Sequence, residues 1–147
     1  MRVFHLGAEQ CVELGALPAQ LPPAGFLWVA CGRAEFDAGV AAVQARLQDW
    51  TGWPLVDLHV SDLLNAQLPS HFDYTSWYDM LVFRRLAAGA GSEALFADDE
   101  HGSIASAKKA LETIDTSPVG FAVFDRVLLT VHPTDCAVRE HFVQRLL

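Results

Sequence analysis

Cysteine is scarce in this chain and lacks a pattern. Cys11, Cys31 and Cys136 form an odd set with no C-x-x-C spacing and no close histidine pair. That excludes a disulfide framework and a structural zinc site and implies a reducing compartment. Positive charge is also thin: 10 Lys and Arg stand against 18 Asp and Glu, a net charge of -8, and Arg84-Arg85 and Lys108-Lys109 are the only adjacent basic pairs. A phosphate backbone is gripped by clustered basic side chains, so nucleic acid is excluded as a partner. Long apolar runs are missing. The start, MRVFHLGAEQ, lacks the roughly 7–15 apolar residues of a signal peptide, and no stretch reaches the roughly 18 apolar residues a membrane helix needs. These residues are expected to make no membrane contact themselves. Neither G-x-x-x-x-G-K-[ST] nor G-x-S-x-G occurs, which removes the common phosphate-loop and serine-hydrolase readings.

What is present is enough apolar material for one core: 52% of 147 residues. Residues 2–6 alternate and suit a strand, and Pro18, Pro22 and Pro23 then impose a loop. Residues 26–31, FLWVAC, have no polar face and read as a strand covered on both sides. Phe36, Val40, Val43, Leu47 and Trp50 recur at helical spacing across 34–50, and Gly52 and Pro54 end that helix. A second helix is expected over 56–67, with Val56, Val60, Leu63 and Leu64 inward and Asp57, Ser61, Asp62 and Asn65 outward. Pro69 makes a turn, 77–86 a strand, and Ser103 can cap a short helix through Lys109. Strands at 119–124 and 127–132 flank Asp125-Arg126 as a two-residue hairpin. After Pro133, Thr134 or Asp135 can cap a last helix. Its stripe Val138, Phe142 and Leu146 needs cover from the sheet or another chain, because an isolated helix of about 12 residues is marginal. This order predicts a single α/β domain over 1–147: a mixed parallel and antiparallel sheet between helices, with a C-terminal hairpin followed by a helix.

Candidate motifs are few. Gly89 to Ala94 matches G-x-G-x-x-A, but that fingerprint needs a strand ending at its first glycine, and residues 84–88 intervene. His59 and Asp62 stand at i, i+3 on one helix, a spacing that can hold a metal or a surface hydrogen-bonding pair. Asp98-Asp99-Glu100-His101 beside Gly102 reads as a solvated run. Cys31, inside an apolar strand, reads as a small core residue. A metal-dependent hydrolase would need three or four convergent ligands, and the candidates lie on separate segments. The residues point away from an enzyme.

The stretch VDLHVSDLLNAQLPSHFDYTSWYDMLVFRRL, residues 56–86, resembles the N-terminal cytoplasmic domain of the CorA family of magnesium and divalent-cation transporters. There an acidic helix is followed by a proline and an aromatic-rich strand. Trp28-Val29 resembles that family's tryptophan-led strand, residues 34–50 its next helix, 119–131 its hairpin, and Val138-Arg139-Glu140 the start of its stalk-entering segment. The resemblance implies a cytoplasmic regulatory domain on the inner face of the cell membrane. It implies neighbouring protomers of a homopentamer as partners and Mg²⁺ or another divalent cation as the regulatory or transported ion. It further implies that Asp62, on an exposed helix face, helps hold that ion between protomers, with the partner carboxylate, stalk and membrane helices beyond Leu147. The alternative is a stand-alone α/β interaction or small-ligand-binding domain.

Overall fold

The apolar run Phe26–Gly32 becomes β3, the centre of the molecule, with Leu27 to Gly32 all buried. Because alternate strand residues face opposite ways, Leu27, Val29 and Cys31 enter one core cluster and Trp28 and Ala30 another. A computed structural model describes residues 1–86, 116–133 and 136–147. Around β3 stand β1 (Arg2–Leu6), β2 (Cys11–Leu14), β4 (His71–Tyr74), β5 (Asp79–Leu86), β6 (Thr116–Val123) and β7 (Val127–His132). They form one 7-stranded sheet in the order β2-β1-β3-β7-β6-β5-β4. Among the described residues only β3 and β7 pair in parallel; the other neighbours are antiparallel. The mixed sheet read from the sequence is present, with its C-terminal hairpin and closing helix.

Helix α1 (Arg33–Thr51) buries Phe36, Val43 and Leu47 against one sheet face. Gly32 precedes it, and the Glu35 carboxylate turns back to accept the Gly32 N–H at 2.9 Å. Gly52 ends it in the left-handed region at φ 83°, its N–H returning to Gln48 O. Helix α2 (Asp57–Leu64) lies on the same face and stops three residues short of the predicted end. Asn65 is the reason: it leaves helical space at φ -84°, ψ 102°, and its side-chain oxygen accepts the Gln67 N–H at 2.9 Å. Leu63 packs directly over Gly120 of β6, where any Cβ would overlap its δ-methyl.

Two short edge strands were not predicted, β2 and β4, each of four residues. β6 also begins earlier than expected and includes Pro118, which pairs with Arg84 of β5. Residues 116–119 have no β7 partner, so the missing proline N–H costs little there. The hairpin closes through Phe124 N–H to Val127 O at 2.8 Å, with no positive φ at Asp125 or Arg126. The segment around the predicted Ser103 cap lies outside the described residues, as do the Gly89–Ala94 motif, the acidic run 98–101 and Thr134 and Asp135.

Helix α3 (Ala137–Leu146) covers the opposite sheet face, but not with the predicted stripe. Val143 is buried against Phe4, Trp28 and Ala30, while Val138, Phe142 and Leu146 stay exposed. The inward face is set by Cys136, whose Sγ accepts the Arg139 N–H, and by Glu140, bridged to Arg2 and Arg139. Between α3 and the sheet runs an apolar groove of about 300 Å³, lined in part by Trp28, Phe121, Val138 and Phe142.

His132 is fully buried at the end of β7, donating from Nδ1 to Pro133 O at 2.8 Å and facing Arg139 Nη1 at 3.3 Å through Nε2. Burial lowers its pKa, and the charges of Arg139 and Arg85 lower it further. A folded-state pKa below the unfolded value means that the unfolded chain takes up the proton first. This stabilising contribution is complete above the unfolded value of about 6.5 and is lost as pH falls through the lower folded value. His132→Gln should therefore flatten the loss of stability on acidification, as measured by urea midpoints at pH 7.5 and pH 5.5.

Candidate functional site

The sequence places two polar pairs on opposing elements. On α2, His59 and Asp62 are separated by about one turn; on β4, His71 and Asp73 are two apart and face the same side of the sheet. The connection between α2 and β4 is pinned by Arg84 of β5. Its guanidinium donates to Ala66 O and Leu68 O and to Thr116 O, while its backbone N–H donates to Ser70 Oγ. The amide of Gln44 in α1 holds both the N–H and C=O of Leu55 just ahead of α2, each at 2.8 Å. Helix and edge strand are thus fixed relative to each other.

His59 does not act with Asp62. It turns inward, 2% exposed, and its two ring nitrogens are both engaged, Nδ1 to Tyr78 Oη at 2.6 Å and Nε2 to Asp73 Oδ2 at 2.7 Å. The Tyr78 oxygen also accepts the Val56 N–H at 3.0 Å. A carboxylate acceptor at Nε2 assigns the ring proton there and leaves Nδ1 to accept the Tyr78 O–H. The hydrogen bond from His59 holds the Asp73 carboxyl below its usual range, and burial raises the Tyr78 phenol. An Asp-His-hydroxyl line invites a catalytic reading, but its hydroxyl is buried, already bonded to Val56 and difficult to ionise. The arrangement is a latch tying α2 to β4 and β5. Cys31 is no nucleophile either, since burial pushes its thiol up to about 11.

Asp62 is not on an exposed face as the sequence predicts. Its side chain is 17% exposed and lies across from His71, with Oδ2 3.7 Å from Nε2. The side chain rests against β4 because α2 is rotated to bury His59 and Leu63. Among the described residues no three His, Cys, Asp or Glu side chains converge as a metal centre. The sequence reading did not place His71 and Asp73 on a strand opposite α2; the signal was the alternation His-Phe-Asp-Tyr, polar on one face and aromatic on the other.

No protein-family model matches this sequence, and no curated protein matches it. Solved structures do match, and they define the class: the chain has the fold of the soluble domain of CorA-type proteins. Similar structures are the ZntB cytoplasmic domain from Vibrio parahaemolyticus (TM-score 0.63, 14% identity), the full-length CmaX protein (0.61, 14%) and the complete CorA magnesium transporter from Methanocaldococcus jannaschii (0.58, 11%). Each alignment covers 99% of this chain and 48%, 38% and 36% of the respective neighbour. The chain therefore spans about half or less of the length of the proteins it resembles. No helix among the described residues is long and apolar enough to cross a membrane.

Proposed function

We propose that residues 1–147 are the cytoplasmic regulatory domain of a CorA-like magnesium or related divalent-cation transporter, set on the inner face of the cell membrane and assembled with neighbouring protomers as a homopentamer. The observation that supports this reading is a fold likeness along 99% of the chain to the ZntB cytoplasmic domain, to CmaX and to the CorA magnesium transporter. In this reading the domain performs no catalysis. It responds to the ion, and Asp62 supplies charge to the response. One carboxylate provides at most two of the roughly six oxygens that Mg²⁺ requires. The 147-residue chain alone should therefore bind Mg²⁺ weakly, with no saturable heat below millimolar concentration by calorimetry.

The test is flux through the full-length protein in liposomes. Divalent-cation uptake should fall as the same ion is raised on the side bearing this domain. Flux indifferent to that ion, or a natural protein without membrane segments, would favour the stand-alone small-ligand reading, to which the apolar groove beside α3 lends its 300 Å³.

A further inference from the structure

We propose that His132 and Arg139 form a proton switch that sets whether α3 lies on the sheet. The switch stands apart from Asp62 and from any metal ion.

His132 ends β7 and lies on the α3 face of the sheet, because it is two residues on from Thr130, whose hydroxyl takes the Trp28 indole N–H on that face. Its Nδ1 meets the Pro133 carbonyl oxygen at 2.8 Å, an acceptor, so the ring proton sits there and Nε2 carries the lone pair. That lone pair accepts the Arg139 Nη1 proton at 3.3 Å. A second proton on the ring can go only to Nε2, where it turns the acceptor into a donor facing a donor and sets an imidazolium beside a guanidinium. Nothing nearby compensates. The other charges around the ring are Arg85 of β5 and the amino group of Met1, both positive, and the amino group is already paired with Glu35 of α1. Among the described residues no carboxylate bonds to His132.

Arg139 is not free to step aside. Its Nε and Nη2 hold Glu140 Oε1 at 2.9 and 2.8 Å, and its backbone N–H is the one that Cys136 Sγ caps. Glu140 is held in turn by Arg2 Nη1 at 3.1 Å. Pushing the guanidinium off His132 therefore pulls on the first turn of α3 and on its tie to β1. That helix is lightly held: it buries Val143 and its cap Cys136, where α1 buries Phe36, Val43 and Leu47. The docked form thus holds the proton less tightly than the undocked form. Docking is complete above the ordinary histidine value of about 6.5 and is lost as pH falls through the lower docked value.

The test is an NMR titration of the 147-residue chain from pH 7.5 to pH 5.0, following the histidine rings and the backbone amides. In this range Glu13 and Glu140, whose hydrogen bonds to Arg2 and Arg139 hold them below the usual carboxylate range, stay charged. The His132 ring and the amides of residues 137–146 should change with one shared midpoint, while the amides of α1 and β3 keep their folded positions. His132→Gln keeps an acceptor for Arg139 and takes up no proton, so its α3 amides should stay put. Arg139→Gln removes the facing charge and should raise the His132 midpoint by about one pH unit. A ring still neutral at pH 5.0, a ring that titrates with α3 unmoved, or an α3 transition that persists in His132→Gln would each overturn the switch. So would a His132 midpoint unchanged in Arg139→Gln, or loss of the α1, β3 and α3 signals together, which is unfolding of the whole domain.

Discussion

Replacing His59 by Ala should destabilise the domain by about 2–4 kcal/mol, although His59 is a histidine on a short helix that nothing in its local sequence marks as core. The cost has two parts. The ring fills a site 2% exposed and meets Tyr78 edge-on at a centroid distance of 5.4 Å, so its removal leaves a cavity. It also strands the Tyr78 hydroxyl, which donates to Nδ1, inside the protein, and an orphaned buried polar group costs about 1–3 kcal/mol. His59→Phe separates the parts, since it restores volume but not the acceptor and should recover roughly half the loss. Urea midpoints of wild type and both variants give the result. If Ala and Phe are alike and within about 0.5 kcal/mol of wild type, as for an ordinary surface change, the latch does not exist.

The second large effect is expected at a glycine in the turn that enters β3. Gly25 has φ 76°, and a Cβ there would overlap the carbonyl oxygen of Leu6, a backbone atom that cannot swing away. Its own carbonyl is held by Arg126 Nε at 3.0 Å, and Arg126 also donates to Pro22 O, so the turn entering β3 is clamped to the β6–β7 connection. Gly25→Ala should cost about 2–4 kcal/mol, from left-handed strain plus displaced backbone. Gly52 is the control. Its φ of 83° imposes the same conformational strain, but nothing lies within 4 Å of a Cβ there. Gly52→Ala should therefore lose only about 1 kcal/mol. Equal losses at the two positions would show that the close approach to Leu6 does not matter.

The elements legible in the sequence were those whose pattern comes from burial. β3 had no polar residue to mislead, and α1 repeated its apolar residues from Phe36 to Trp50, about four turns, before Gly52 and Pro54 stop it. The hairpin was read from two apolar runs with only Asp125-Arg126 between them. β2 and β4 escaped because edge strands are short and half-solvated, so Cys-Val-Glu-Leu and His-Phe-Asp-Tyr carry little apolar signal. The site suffered from the same blind spot. With β4 unread, Asp62 faced solvent on paper and His59 was its natural partner one turn away. Once β4 is paired with β5, both α2 residues acquire partners across the gap. Of the two covers expected for the α3 stripe, the sheet does not supply it, for another reason. At three-to-four spacing Val138, Phe142 and Leu146 are as good a face as Cys136 and Val143, and what distinguishes the two is a long-range contact, Arg2 of β1 on Glu140.

The proposal that this is a cation-responsive domain working through Asp62 is tested most directly by protease resistance of the full-length protein against Mg²⁺ concentration, wild type beside Asp62→Asn. The substitution keeps the side chain's shape and removes its charge, and it should leave the fold intact because Asp62 makes no hydrogen bond through its carboxylate among the described residues. Cleavage within residues 1–147 should slow as Mg²⁺ rises, and the midpoint should move to about tenfold higher Mg²⁺ in Asp62→Asn, the loss of one charged ligand. Superimposed curves for the two proteins would contradict it.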